Sequence, residues 1–229
     1  MKIVHFIALC LIIAVPSAVL PEDNDAGFVA IQWKNVQPDY RGASTNQTIK
    51  AIKNRRTVRA YSPELVSQKD LLAVIDAGRY APSGKNLQPW HITVITNPGV
   101  LERMTDLYKE EFKNEGGEFA KMLEDNPDFK IFYGAPVGII VSGDEKSEYA
   151  AIDCAAAVEN MMIAAASLDM GTCWIQTNMV LFDGVKGKEL MKLLSIPEGY
   201  KPLYTFALGY PAEKPQAAPR RDDTVHFVK

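Results

Sequence analysis

Between Glu148 and Leu168 the chain carries Ala150, Ala151, Ala155, Ala156, Ala157, Ala164, Ala165 and Ala166, together with Met161 and Met162. This is its longest helical stretch, and it is apolar on nearly every face. Such a helix is expected to be buried on nearly every face. Asp153, Glu159 and Asn160 argue against a membrane span. The fold must therefore wrap other elements around one central helix, and a small-residue helix of this kind in a domain this size often lies in a subunit interface. The chain is long enough to do the wrapping. Its 229 residues, 47% hydrophobic and 23% charged, suit one globular domain with a sizeable core.

The other elements follow from local signals. Ile49 and Ile52 mark one face of a short helix over 48–56. Ser67 with Asp70 three residues on is a helix start, and Leu71, Leu72 and Ile75 continue that helix. Trp90 to Thr96 alternates as a strand. Asn97-Pro98 opens another helix, a cap with proline at the first position. Its stripe of Leu101, Met104, Tyr108 and Phe112 is read as core packing. Gly116-Gly117 and Asn126-Pro127-Asp128 interrupt the pattern, so 113–130 reads as a mobile excursion over a site. Further strands are expected at 137–141, 171–176 and 203–208, with a helix over 182–194. Helices interleave with about four strands and no repeat is visible, so an α+β or α/β sandwich is expected. The tail after Tyr210 is rich in proline and charge.

The two ends of the chain differ from its middle. Met1-Lys2 is a short positive start, Ile3 to Val15 is nearly all apolar, and Pro16-Ser17-Ala18 follows. These are the three parts of a secretory signal, and the run is short for a membrane span, which needs about 20 apolar residues. Residues 1–18 are thus expected to be a signal peptide, with an uncleaved anchor as the alternative. Residues 19–47 read as an N-terminal arm and 48–229 as the domain. The expected location is periplasmic or otherwise extracytoplasmic, with no membrane contact after cleavage; without a working signal it is cytoplasmic or membrane-anchored. Removing 1–18 leaves Cys154 and Cys173, read as buried free thiols rather than a disulfide. With no CxxC and only His5, His91 and His226, no metal site is expected. The net charge of −3 offers no bulk argument for nucleic acid, and none is expected as a partner.

Three segments carry candidate chemistry. Arg55, Arg56 and Arg59 lie within five residues, with Thr57 among them. Guanidinium forks match phosphate oxygens two at a time; the competing reading is a solvated basic surface. Residues 79–90, Arg-Tyr-Ala-Pro-Ser-Gly-Lys-Asn-Leu-Gln-Pro-Trp, resist helix at Pro82, Ser83, Gly84, Asn86 and Pro89. The hydroxyl of Ser83 and the amides of Asn86 and Gln88 offer donors and acceptors for the mixed edge of a flavin-like ring, or they satisfy their own turn. Gly171 to Thr177, Gly-Thr-Cys-Trp-Ile-Gln-Thr, reads as a strand ending in exposed backbone N–H groups beside Trp174, or as an ordinary core strand. Together they point to an anionic, aromatic cofactor. The absence of GxGxxG after a strand and of GxxxxGK[ST] argues against the two commonest nucleotide loops.

In this order the segments resemble the FMN-dependent nitroreductase family. The resemblance runs from about Thr48 to Val228. It rests on Arg55-Arg56-Thr57-Val58-Arg59, Ala81 through Trp90, Gly171 through Ile175, Leu208-Gly209-Tyr210-Pro211 and the pair Arg220-Arg221. The Pro-Ser-x-x-Asn-x-Gln-Pro-Trp element is its most specific part. The resemblance implies an α+β three-layer α-β-α sandwich with a central, mainly antiparallel sheet, and an intertwined homodimer with FMN at the interface. Arg55, Arg56, Thr57 and Arg59 are then expected to hold the phosphate and ribityl chain, assisted by Arg220 or Arg221. Pro82, Ser83, Asn86 and Gln88 line the ring, and Trp174, Ile175, Gln176 and Thr177 pass near its N5. The implied reaction is ping-pong transfer from NAD(P)H through the flavin to a nitroaromatic or quinone, a small-molecule acceptor, with no catalytic side chain required.

The chain also departs from the family. Many members carry Glu-Gly or Gly-Gly where this chain has Gln176-Thr177. A hydroxyl donor near N5 also occurs in the dehalogenase branch of the fold, whose lid carries Glu, Tyr and Lys, residue types found here in Tyr108-Lys109-Glu110. Reductive dehalogenation is accordingly one alternative, and flavin binding without turnover is another.

Overall fold

The computed structural model describes residues 28–30, 46–115 and 117–228. Residues 1–18, read as a signal, and most of the arm over 19–47 lie outside the described residues. The chain divides into a large compact unit over 42–217 and a smaller one containing 28–30 and 218–228. In the smaller unit β1 (Phe28–Ala30) pairs antiparallel with β6 (His226–Val228), in the register Val29 to Phe227. The sequence shows only a polar arm and a charged tail here, because three-residue strands leave too few positions to alternate.

The large unit is built around β2 (Trp90–Ile95), β3 (Val137–Asp144), β4 (Gly171–Trp174) and β5 (Tyr200–Gly209), in the order β2-β3-β5-β4 with every pairing antiparallel. Side chains alternate across the sheet, and both of its faces are covered. Val137, Ile139, Val141, Phe206 and Leu208 pack with Cys154, Val158 and Met161 of α5 (Ala150–Ser167) and Val74 of α2 (Gln68–Arg79). Ile140, Cys173, Ile175 and Ala207 pack on the other face with Met104 and Tyr108 of α3 (Pro98–Glu115) and Leu190 of α6 (Gly184–Leu193). The result is three layers, helix, sheet, helix, within an α+β class. Burial on both faces explains why β3 reads as a continuous apolar run rather than an alternating one.

Two helices begin where the sequence places their caps. Ser67 Oγ accepts the Asp70 N–H at 3.1 Å and donates to the Asp70 carboxylate at 2.8 Å. Asn97 Oδ1 accepts the N–H groups of Gly99 and Val100, at 2.9 and 3.3 Å, where α3 starts. α1 (Gln47–Asn54) is capped by Asn46 Oδ1, which accepts from Ile49 N–H at 3.1 Å. Part of 113–130, expected as a mobile excursion over a site, is helical, as α4 (Gly117–Asp125). The last helix starts at Gly184, later than expected, because Thr177–Phe182 is a 3-10 turn.

One expectation needs correcting. α5 is not buried on nearly every face in the single chain. Cys154, Ala157, Val158, Met161 and Ala165 are buried, but Ile152 is 73% exposed, and Ala151 and Glu159 are exposed too. The sheet, α1 and α2 cover only part of its circumference. Ile152, Ala155, Ala156, Glu159 and Ile163 fall at helical spacing on the side left open or half-open.

Candidate active site

The basic segment begins where α1 ends. Arg55 is the C-cap residue, its N–H bonded to Ala51 O at 2.9 Å. Its side chain is partly buried, with Nε 3.8 Å from Glu159 Oε1 of α5, while Nη1 is buried without a hydrogen-bond partner among the described residues. Arg56 turns back on its own helix: Nη1 donates to Lys53 O at 2.7 Å and to Arg55 O at 2.8 Å. It therefore satisfies end-of-helix carbonyls. The chain then runs extended. Thr57 bridges Thr172 in parallel, and Val58 N–H donates to Thr172 O at 2.9 Å. Tyr61 bridges Pro211 on the other side, antiparallel, and Ser62 N–H donates to Tyr210 O at 2.9 Å. The basic segment is thus an added strand-like piece beside β4 and the residues that follow β5.

Arg59 leaves in a different direction from Arg55. Its guanidinium lies over the Tyr133 ring, 5.9 Å from the centroid. A side-chain hydrogen bond to Tyr133 raises its pKa further, with the thiol of Cys173 nearby. Tyr133 has φ 55° and Gly134 φ 73°, so two successive left-handed residues aim this ring at Arg59. A bulky residue in that region is uncommon and marks a functional or strained position. Tyr61 is mostly buried beside the same cluster, and burial pushes its phenol well above the usual tyrosine range.

The loop over 82–88 is held mainly by itself. Ser83 Oγ accepts Gln88 N–H at 3.1 Å, Gln88 Nε2 donates to Asn86 Oδ1 at 3.2 Å, and Leu87 N–H donates to Gly84 O at 3.0 Å. Gly84 N–H reaches Asp153 Oδ2 of α5 at 3.1 Å. Lys85, Asn86 and Gln88 have φ of 53°, 56° and 49°. Pro82, Asn86 and Gln88 are exposed and Ser83 is half-buried. The turn-satisfying role of these groups is thus real, and it leaves the outer edges of both amides open.

At the end of β4, Ile175 N–H donates to Thr205 O at 2.8 Å, so that amide is committed to the sheet. Trp174 packs edge-on against Tyr204, with centroids 4.9 Å apart. The Gln176 side chain is held at both ends: Oε1 accepts from Trp174 Nε1 at 3.2 Å and Nε2 donates to Leu203 O at 3.1 Å. Thr177 is exposed and lines a cavity with Tyr108, whose phenol burial pushes up.

Two cavities flank this arrangement. One of about 700 Å³ is lined by Lys50, Arg55, Arg56 and Lys214 against Asp169 and Glu213, so cations outnumber anions. The other, of about 550 Å³, is lined by Tyr108, Phe129, Tyr133, Met122, Thr177 and the 126–130 turn. The structure therefore brings Arg55 to Arg59 together with Gly171 to Thr177, whereas the 82–88 loop is anchored at the N-terminal end of α5. Lys109 Nζ donates to Pro127 O at 2.6 Å and Glu110 meets Lys186 at 3.4 Å, so the Tyr108-Lys109-Glu110 triplet splays in three directions. In the smaller unit, Arg220 Nη1 donates to Ala218 O at 3.1 Å. Arg221 forms a two-point pair with Asp223, at 3.0 and 2.8 Å, which holds that carboxyl below the usual range. Tyr133 and Glu213 stand in no sequence motif, and the Tyr133-Gly134 pair is the one local hint.

The family model described as Nitroreductase family matches residues 52–210. A protein of Methanothermobacter thermautotrophicus named for NADH dehydrogenase/NAD(P)H nitroreductase activity is 32% identical over 191 residues, covering 81% of this chain and 89% of its own. The FMN reductase [NAD(P)H] of Bacillus subtilis is 28% identical over 188 residues, covering 76% of this chain and 70% of its own. A Bacteroides fragilis nitroreductase solved with bound FMN has a TM-score of 0.73 and 33% identity, over 80% of this chain and all, 100%, of that one.

Proposed function

We propose that this chain, which belongs to the nitroreductase family, is an FMN-dependent oxidoreductase that passes electrons from NADH or NADPH to a nitroaromatic or a quinone. The observation that carries the reading is the junction at Thr172. Through it the segment that carries Arg55 and Arg56 along a cationic cavity is fastened to β4, the strand that leads to the exposed Gln176 and Thr177. The residues present suit the cofactor. A buried guanidinium nitrogen without a partner costs on the order of 1–3 kcal/mol, and a phosphate oxygen would relieve that cost at Arg55 Nη1.

When bound, FMN supplies the redox centre at which donor and acceptor react in turn. The chain supplies binding and orientation. Arg55 is the phosphate ligand, with the Thr57 hydroxyl beside it, and Arg56 keeps the end of α1 in place. Arg59, stacked on Tyr133, faces the ring end. The open amide edges of Asn86 and Gln88 read the ring's donors and acceptors. The clamped Gln176 keeps Trp174 as a wall and leaves the Thr177 hydroxyl facing the cavity. No side chain is required as a general base. The open side of α5 and the anchoring of the 82–88 loop at its N-terminal end support a homodimer in which one copy's loop completes the other's site. The signal-like start supports export, which would require an electron donor available outside the cytoplasm.

Absorbance of the purified protein, reconstituted with FMN and desalted, tests the reading. Flavin bands should remain, bleach anaerobically with NADH or NADPH, and return on addition of a nitroaromatic or quinone. A colourless protein sinks the proposal, and a yellow protein that neither donor bleaches favours flavin binding without turnover. Arg55→Ala should weaken FMN binding about 10- to 100-fold, the loss expected for a charge-assisted hydrogen bond. Unchanged affinity would remove Arg55 from the phosphate site.

A further inference from the structure

We propose that Glu213 is a positioning residue that clasps the backbone of the basic segment and so keeps Arg55 and Thr57 in place for the cofactor phosphate, although its charge has the same sign as that ligand. This rests on the FMN reading above. Glu213 Oε1 accepts the N–H of Arg59 and, at 3.2 Å, the N–H of Ala60. Consecutive backbone amides converging on one oxygen form a small anion-binding notch, and here the anion is part of the chain itself. The donors lie 154 and 153 residues before the acceptor in sequence.

The clasp completes a set of ties along one stretch. Val58 N–H is held by Thr172 O, Ala212 N–H donates to Ala60 O at 2.9 Å, and Ser62 N–H is held by Tyr210 O. Tyr61 OH donates to Val58 O at 2.7 Å. Glu213 is the side chain that closes the side of this stretch facing residues 210–213, and the first N–H it holds, that of Arg59, is two residues from Thr57 and four from Arg55. Its carboxylate also lines the cationic cavity with Arg55, Arg56, Lys50 and Lys214. Glu213 therefore acts on the site in two ways, and they have opposite directions. As a charge, Glu213 repels a phosphate. As a clasp, it preorganises the groups that bind one.

Three variants separate the roles, each read by FMN fluorescence titration and by amide hydrogen exchange of peptides spanning 55–62 in the apo-protein. Glu213→Gln keeps the accepting oxygen and removes the charge. Glu213→Asp keeps the charge and shortens the reach. Glu213→Ala removes both. The clasp requires Glu213→Ala and Glu213→Asp to weaken FMN binding, the former about tenfold or more, and to speed exchange over 55–62, while Glu213→Gln stays within about threefold of the native protein. Tighter FMN binding in both Glu213→Gln and Glu213→Ala, or unchanged exchange in Glu213→Ala, overturns the proposal. Should Glu213→Ala not fold, weaker binding and faster exchange in the Asp variant but not in the Gln variant still decide the matter. The exchange readout needs no FMN, so failure of the native protein to bind FMN would sink the cofactor reading and leave the clasp to be judged by itself.

Discussion

The basic segment over 55–62 and the loop over 82–88 hold candidate ligand groups in opposite ways. The loop satisfies itself within six residues, Ser83 with Gln88, Gly84 with Leu87 and Asn86 with Gln88. It accepts left-handed backbone at Lys85, Asn86 and Gln88, a strain of about 1 kcal/mol or more at each. The segment does almost nothing for itself. Its conformation comes from Thr172, Tyr210, Ala212 and Glu213, more than a hundred residues away. A turn that carries its own geometry can be read in the residues that form it. A strand-like piece whose geometry is imposed can be read only for its composition. It follows that the segment should be more easily disturbed from a distance.

That contrast can be broken most forcefully at Gly171. A Cβ there would lie 2.8, 2.9 and 3.0 Å from Cγ2, Cβ and Cγ1 of Val58, and a β-branched side chain cannot rotate away. Gly171→Ala should cost about 2–3 kcal/mol in denaturant unfolding and release FMN, although neither residue is a proposed ligand. Retained stability and flavin would show that the segment holds itself. The matching change in the loop is smaller. At Gly84 a Cβ would meet Tyr149 Cδ2 at 2.6 Å, but that ring is only half-buried and can swing outward. Gly84→Ala should cost about 1 kcal/mol, with the loop's internal bonds surviving; a loss as large as that at Gly171 would erase the distinction.

The two thiols give the finest readout, because each lies beside one region. Cys173 is next to Arg59, and Cys154 follows Asp153, which holds Gly84. Burial raises both pKa values. Cys154 is pushed up to about 12, with Asp153 adding to the effect, whereas Arg59 opposes the rise at Cys173. The reactive species is the thiolate, so neither cysteine should alkylate appreciably at pH 8, and Cys173 should react first as the pH is raised. In Gly171→Ala, Cys173 labelling should rise while Cys154 stays protected. Peptide mapping of iodoacetamide adducts checks this, and equal rates at the two sites would contradict the assignment of one thiol to each region.

Much of the architecture was readable locally. The Ser67–Asp70 and Asn97-Pro98 starts, the strand at Trp90 and the apolar run of β3 rest on contacts within a few residues or on a simple alternation. α4 was missed because glycines and Asn126-Pro127 bracket a helix of only nine residues. Three arginines in a row of five looked like one phosphate cluster. In the fold Arg56 caps a helix, Arg59 stacks on Tyr133, and Arg55 keeps a buried nitrogen without a partner among the described residues. Composition could not separate them, because their roles depend on where the extended backbone points each side chain.

By itself the sequence determined the interleaving of helices and strands, the central helix and the helix starts at Ser67 and Asn97, since each rests on interactions between near neighbours or on a pattern repeated along one element, and the order of its motifs carried the resemblance that implies the α+β class. The joining of the basic segment to β4 was decided only by the tertiary structure. So were the clasp by Glu213, the turning of Tyr133 toward Arg59 and the open side of α5. These arise where stretches far apart in sequence meet, and hydrogen bonds across such separations leave no periodicity in the residues that make them.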